Sequence, residues 1–371
     1  ADQAGVIQAE ERAHLAAARL AELGDPAGLK FLIEEAFLAG DAAQVQSLCE
    51  RGMKLSLREA YAVAAFAERV RSEPNLVRSA KLSQRAAELG SAEGMCGYAR
   101  SLRFGGSIEP KPARVVEELL GEAKKRGGGP WVVLERARIA WEQGEQAKWR
   151  GLVRGLLKFA PESLRPHLWG ELGMHLLDAA GRLSEGARSE WRRHAQLALS
   201  RSRPEVSIDG RIPYNVAAGL VSGDVSHEGE GREERISRLF ERASSLDHVA
   251  ATHAFGARLI AGLGVARDVP RGLEVLERAG ELGHVEAWAR LGALYEEGLG
   301  AQLASNKDQA LRCYRRAAEF DHVPALVKLA GLLLDGGELA EGRVRAKRAY
   351  VLDPGAARVN YGFLLVLENL T

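Results

Sequence analysis

Three histidines recur at nearly equal spacing in the C-terminal half of the sequence. His284 lies 36 residues after His248, and His322 lies 38 residues after His284. Imidazole nitrogens are common zinc ligands, so a shared metal site is one chemistry that this spacing suggests. Equivalent residues of stacked helix pairs are, however, roughly 10 Å apart, because this is the distance at which helices pack. Three ligands so spaced cannot share one ion, so we interpret the histidines as polar residues of turns and predict no metal site.

The glycine-rich loops and the cysteines lack the context that catalysis or cofactor binding would require. Segments 262–264 and 298–300 both read Gly-Leu-Gly, but they follow predicted helices rather than strands, and no Lys-Ser or Lys-Thr follows a phosphate-binding glycine. Cys49, Cys96 and Cys313 are far apart and form no CxxC pair. We interpret the cysteines as small buried residues. The sequence therefore predicts no catalytic residue and no cofactor.

Self-similarity is the strongest signal in the chain. Residues 281–287 (ELGHVEA) recur as 319–325 (EFDHVPA) and, more loosely, as 245–251 (SLDHVAA). A period of this length is typical of stacked helix pairs, in which each unit buries its apolar face only against its neighbours. The sequence therefore predicts an all-α protein.

The apolar spacing within one period supports this interpretation. Leu291, Gly292 and Tyr295 follow Ala287 at i+4, i+5 and i+8, which places all four on one helix face, and Gly298 then ends the helix. Small residues beside large ones allow two helices to approach closely. After the loop, the spacing of residues 310–318 predicts a second helix, so each repeat is an antiparallel helix pair.

Residues 287–300 (AWARLGALYEEGLG), followed by 310–319 (ALRCYRRAAE), resemble a Sel1-like repeat, which is a tetratricopeptide-type helical repeat. The resemblance is clearest from about residue 212 to 354. It implies a right-handed α-solenoid of about nine antiparallel helix pairs with terminal helices. Helix pairs are expected near 25–53, 56–90, 91–127, 130–160, 161–203, 212–247, 248–283, 284–321 and 322–353, with a leading helix near 6–24 and a closing helix near 356–370.

The chain is expected to form one continuous solenoid with two regions of different repeat quality. Residues 1–211 are expected to contain degenerate tetratricopeptide-like or Sel1-like repeats. Residues 212–371 are expected to contain well-formed Sel1-like repeats and a C-terminal capping helix. The segment 202–235, rich in Gly, Ser, Pro and charge, is expected to be irregular, either as a hinge or as an expanded interhelix loop.

Composition restricts the partner and leaves the compartment open. The 51 basic and 50 acidic residues give a net charge of +1, which argues against a nucleic-acid partner. The sequence has no apolar stretch long enough to span a membrane.

An arginine- and alanine-rich, lysine-poor chain is typical of a bacterium with a GC-rich genome. Because the chain begins Ala1-Asp2-Gln3, either signal-peptide removal or trimming is expected, so both a cytoplasmic and a periplasmic location stay open.

The resemblance implies a groove lined by the first helix of each pair, and with it an adaptor or scaffold that binds a protein partner. Candidate partner-binding residues lie off the buried stripe of that helix; they are Arg100, Arg103, His253, Glu296, Glu297 and Lys328. One alternative is a periplasmic or outer-membrane-associated scaffold for alginate-type exopolysaccharide assembly or export. Another is an enzyme that resembles Sel1-like penicillin-binding hydrolases, although these carry a regular pair of cysteines per repeat, which this sequence lacks. We favour the non-catalytic scaffold; the sequence leaves its oligomeric state open.

Overall fold

The structure is a computed structural model that describes residues 3–71, 74–104, 111–159, 166–183, 185–223, 231–358 and 362. It is 81% helical, without a β-strand in these ranges, which confirms the all-α prediction. The helices are α1 (Gln3–Glu22), α2 (Pro26–Ala39), α3 (Ala42–Lys54), α4 (Arg58–Val70), α5 (Leu76–Glu88), α6 (Ala92–Phe104), α7 (Ala113–Lys125), α8 (Gly129–Glu142), α9 (Gln146–Phe159), α10 (Pro166–Gly181), α11 (Glu185–Arg201), α12 (Arg211–Ser222), α13 (Arg232–Ser245), α14 (Val249–Ala261), α15 (Val269–Glu281), α16 (Val285–Glu297), α17 (Lys307–Ala318), α18 (Val323–Asp335) and α19 (Leu339–Leu352), with short 3-10 helices at Pro204–Val206 and Gly300–Gln302.

The chain forms two compact units, Ala1–Glu230 (unit 1) and Gly231–Thr371 (unit 2). Within each unit, consecutive helices pack against each other as antiparallel pairs, which confirms the predicted solenoid of helix pairs. The leading helix is present as α1, whereas the predicted closing helix near 356–370 lies largely outside the described residues. The boundary between repeat types at residue 211, the continuity of the solenoid and its handedness stay predictions.

The first helices of successive pairs in unit 1 also contact one another. Helix α4 packs on both α2 and α6, α8 packs on both α6 and α10, and the second helices of the same pairs make fewer such contacts. A stack whose first helices approach each other more closely than its second helices curves toward the first helices. We call the surface formed by α2, α4, α6, α8 and α10 the inner face of unit 1.

Small residues beside large ones build the core of unit 2, as the spacing predicts. Gly292 of α16 lies against Tyr314 of α17, where a Cβ atom would come within 2.6 Å of a ring carbon, so only glycine permits this helix contact. Trp288 is 5% exposed and the guanidinium of Arg316 lies 5.0 Å from its ring centre. Trp288 is therefore a core residue of unit 2.

The recurring histidines lie where one helix pair ends and the next begins. Their preceding residues Asp247, Gly283 and Asp321 all have a left-handed backbone, with φ of 56°, 94° and 57°. His248 and His322 then cap α14 and α18, because each Nδ1 accepts a hydrogen bond of 3.3 Å from the amide three residues later. The histidines are therefore residues of the turns between repeats, as predicted, although His284 at the equivalent position makes no such cap.

Candidate functional site

Five charged side chains meet on the inner face of unit 1, and we call them the arginine cluster. They come from four helices: Arg69 from α4, Arg100 from α6, Glu135 and Arg138 from α8, and Glu171 from α10. Their side chains are between 1% and 20% exposed. Charged side chains are rarely buried unless they are paired, so this cluster needs a physical account of its own.

Two carboxylates hold the three guanidinium groups together. Glu171 accepts hydrogen bonds from Arg69 at 2.9 Å, from Arg100 at 3.2 Å and from Arg138 at 2.6 Å. Glu135 accepts from Arg100, with 3.0 Å between Nε and Oε1, and from Arg138 at 2.5 Å. Glu171 thereby joins α10 to three other first helices, including α4, whose Arg69 lies 102 residues away in the sequence.

The cluster carries an excess of positive charge in a buried place. Burial opposes the ionisation of Glu171, but Arg69 and Arg100 outweigh it and lower the pKa of Glu171 to about 2. Burial lowers the pKa of Arg69, and the neighbouring Arg100 contributes to this shift. Burial also raises the pKa of Glu135, although Arg100 acts in the opposite direction. Within the described residues Arg69 binds one carboxylate of the cluster, whereas Arg100 and Arg138 each bind both, so Arg69 is the least compensated cation.

A pocket of about 110 Å³ opens on the inner face beside the arginine cluster. Its lining comes mainly from α2, α4 and α6 and includes the aromatic rings of Phe37, Phe66 and Trp131. Phe37 and Phe66 pack edge to face with ring centres 5.7 Å apart, and the guanidinium of Arg69 lies 5.2 Å from the ring centre of Phe66. Arg69 and Arg100 both line the pocket. An apolar wall next to a cation is a suitable site for a ligand with both characters.

The predicted residues Arg100 and Arg103 lie on the inner face, but neither is a freely exposed cation. The side chain of Arg100 is 14% exposed and belongs to the arginine cluster, and that of Arg103 is 13% exposed and pairs with Glu142. Both arginines hold helices of unit 1 together. Their contact with a partner stays a prediction.

In unit 2, the structure brings together two of the predicted residues. Lys328 of α18 lies 3.2 Å from Glu296 of α16, and Glu296 also accepts a hydrogen bond of 2.7 Å from the Tyr314 hydroxyl. Burial, followed by this hydrogen bond, raises the pKa of Tyr314. Glu297, at the last position of α16, is exposed. These residues lie on first helices, as predicted, and the role of Glu296, Glu297 and Lys328 in partner binding stays a prediction.

The remaining predicted residue, His253 of α14, stacks on His284. Their ring centres are 4.5 Å apart and the rings are nearly parallel, at 8°. Burial, followed by the proximity of His284, lowers the pKa of His253 to about 4, so this stacked pair is neutral at neutral pH. Within the described ranges, no group of three or more His, Cys, Asp or Glu side chains could hold a metal ion.

The cysteines are buried and free. Burial raises the pKa of Cys49 to about 12 and that of Cys313 to about 11, so these thiols stay protonated and poorly nucleophilic. In the part of the chain that the structure describes, no helix is sufficiently long and apolar to cross a membrane.

Sequence reasoning missed most of this site. Arg69, Arg138, Glu135 and Glu171 were not predicted as functional, and neither were the aromatic residues of the pocket. One signal was available: Glu171 is the single Asp, Glu, Lys or Arg among residues 166–177, a mostly apolar helical stretch. A lone carboxylate in such a stretch indicates a buried ion pair, but not which arginines complete it.

Comparison with known proteins identifies the repeat type. The Sel1 repeat family model matches residues 70–91, 256–284 and 285–319, so the chain contains Sel1 repeats, which typically form non-catalytic scaffolds for protein interactions. The c5321 protein, a protective antigen of uropathogenic Escherichia coli strains with an SLR fold, is 17% identical; the match covers 96% of this chain and 75% of that one, with a TM-score of 0.55. A Sel1 repeat protein from Oxalobacter formigenes is 16% identical, with 94% and 89% covered and a TM-score of 0.44. The similarity to c5321 establishes the fold alone. No curated protein matches the sequence.

Proposed function

We propose that this Sel1-repeat protein is a non-catalytic scaffold that binds a segment of a partner protein on its inner face, at the pocket between α2, α4 and α6. The observation that carries the proposal is the pocket itself, whose lining combines aromatic side chains with two arginines. Aromatic residues and arginine are the residue types that most often dominate binding energy at protein interfaces.

The rigidity of the surrounding structure supports the same proposal. The arginine cluster fixes the first helices that carry the pocket, since Arg69 and Arg100 both bind Glu171 of α10. A binding surface that is already ordered loses less conformational entropy when its partner arrives. The exposed Leu38, at 41%, extends the apolar lining to the rim. On the first helices of unit 2, we propose His253, Glu296, Glu297 and Lys328 as additional contacts.

The proposal can be tested by filling the pocket. Ala62 of α4 lines it, so an Ala62→Trp substitution would occupy the space of a ligand. Ala113→Trp is the matched control, because Ala113 is exposed at the start of the second helix α7 and does not line the pocket. Circular dichroism and hydrogen exchange first establish that both variants fold as the parent chain does.

Each purified chain is then used as bait in host lysate with covalent cross-linking, followed by quantitative mass spectrometry. We expect a partner to be captured by the parent chain and by Ala113→Trp, and its recovery to fall at least tenfold with Ala62→Trp, which corresponds to about 1.4 kcal/mol. Equal recovery with all three baits would place the binding surface elsewhere. Failure to capture any protein would contradict the scaffold proposal.

A further inference from the structure

The arginine cluster is one negative charge short of balance. Its five side chains are three guanidinium groups and two carboxylates, and the pair of Arg211 with Asp209 at 2.6 Å, whose arginine also acts on Glu171, is neutral overall. The buried His175, whose pKa burial and Arg100 lower to about 4, adds no positive charge at neutral pH. A buried excess cation is costly unless an anion accompanies it.

The positive charge without a matching carboxylate is that of Arg69, which lines the pocket. Within the described residues, Arg69 donates one hydrogen bond, to Glu171, although a guanidinium has five N–H groups. Arg100, by contrast, uses all three of its nitrogens on Glu135 and Glu171. Arg69 therefore keeps donors for a further acceptor, and its side chain is 20% exposed where it lines the pocket.

The rest of the pocket restricts the ligand in two ways. Its aromatic walls, Phe37, Phe66 and Trp131, favour an apolar group beside the anion. Glu34 and Glu93 also line the pocket, so their charges oppose any anion there and oppose a dianion, such as the doubly charged form of phosphate, more strongly than a carboxylate monoanion. A volume of about 110 Å³ suits a compact group.

From this complementarity we propose that the pocket binds a carboxylate monoanion attached to a compact apolar group, with the carboxylate on Arg69 and the apolar group against the three aromatic rings. The carboxylate supplies the negative charge that the arginine cluster lacks, through charge-assisted hydrogen bonds to a planar guanidinium. The same chemistry occurs in a free aromatic or branched aliphatic acid and in the C-terminal residue of a protein chain. The inference uses the pocket of the proposed function but does not require a protein partner.

The test uses the intact purified chain and defined probes in isothermal titration calorimetry. One arm compares 3-phenylpropanoate with 3-phenylpropanamide, which has the same shape without the charge. The second arm compares the peptide acetyl-Ala-Ala-Ala-Phe as free acid and as C-terminal amide. Acetate, which lacks the larger apolar group, tests whether that group contributes to binding. Inorganic phosphate tests whether a more highly charged anion binds more weakly. Arg69→Gln removes the proposed anion contact, and Arg154→Gln is the matched control because Arg154 is 62% exposed on α9, outside the pocket.

We expect the acid of at least one arm to bind at least tenfold more tightly than its amide, as the loss of a charged hydrogen bond predicts, and the arm that binds more tightly identifies the source of the carboxylate. Acetate and phosphate should bind more weakly than that acid. Arg69→Gln should remove the difference between acid and amide, and Arg154→Gln should preserve it.

Equal binding of acid and amide, or no saturable binding of any probe up to about 10 mM, would overturn the proposal. So would tighter binding of phosphate, or an acid preference that survives in Arg69→Gln. Because no host protein is present, these results are independent of whether the lysate experiment finds a partner.

Discussion

Replacing Glu171 with glutamine should strongly destabilise unit 1. The pKa of Glu171, about 2 against an ordinary 4.5, corresponds to roughly 3 kcal/mol of stabilisation by its ionised form. Because the pKa is lowered in the folded state, this contribution is complete above about pH 4.5 and is lost as the pH falls toward 2. In Glu171→Gln, Arg69 loses its carboxylate and three buried cations share Glu135 alone. Removing one member of a buried ion pair typically costs about 3–5 kcal/mol, which agrees with the value from the pKa.

Urea unfolding near pH 7, followed by tryptophan fluorescence, measures this loss selectively. Trp288 is the single tryptophan of unit 2, and the other five lie in unit 1. Glu190→Gln is the matched control, because Glu190 is 45% exposed and its ion pair with Arg154 spans 3.4 Å. Surface pairs contribute at most about 1 kcal/mol, so the control should change little. The account of the cluster would be wrong if Glu171→Gln lowered the free energy of unfolding by no more than the control does. It would also be wrong if Glu171→Gln still lost stability below pH 4.5 as the parent chain does.

Three further predictions concern single residues. Gly292→Val should cost unit 2 about 1–3 kcal/mol, because its Cβ would lie 2.6 Å from the Tyr314 ring, and hydrogen exchange of unit 2 amides should detect this; unchanged protection would refute the packing argument. Acidification from about pH 7 to about pH 5 should lower the free energy of unfolding of unit 1 by about 2 kcal/mol, measured with urea, because His175 has a pKa of about 4 when folded and 6.5 when unfolded. In His175→Gln, the free energy of unfolding should change less between these pH values. His322→Ala should lower the free energy of opening at the start of α18, measured by hydrogen exchange, by about 1 kcal/mol. His284→Ala should have a smaller effect on its own helix, because of these two histidines only His322 caps its helix; equal effects would contradict the capping role.

The repeat architecture could be predicted from the sequence because each repeat buries its apolar face by local rules. The glycine and aspartate before the recurring histidines, such as Gly283 and Asp321, have the left-handed backbone that the turn between helix pairs requires. The spacing that places Gly292 on the buried face of α16 likewise predicts its contact with a large residue. These signals lie within one period of the chain, so a single repeat is sufficient to recognise them.

The arginine cluster and the pocket beside it could not be predicted in the same way, because they depend on contacts across several repeats. Arg100 has the sequence position of an exposed first-helix residue, yet it binds Glu135 and Glu171, 35 and 71 residues later. The curvature of the stack determines whether such side chains face solvent or one another. No local pattern encodes that curvature, so the sequence indicated that Arg100 lies on a first helix but not that its charge is buried.

The ion pair between Arg69 and Glu171 has a consequence for how unit 1 folds. In a helical repeat protein whose repeats touch only their neighbours, stability grows as a sum along the chain and the ends can unravel separately. Here α4 and α10 are joined across 102 residues, and Ile208, which follows α11, packs with Phe66 and Val70 of α4. Such distant contacts close a long loop, which slows folding and couples the repeats between them. Unit 1 is therefore expected to unfold in one cooperative transition rather than repeat by repeat.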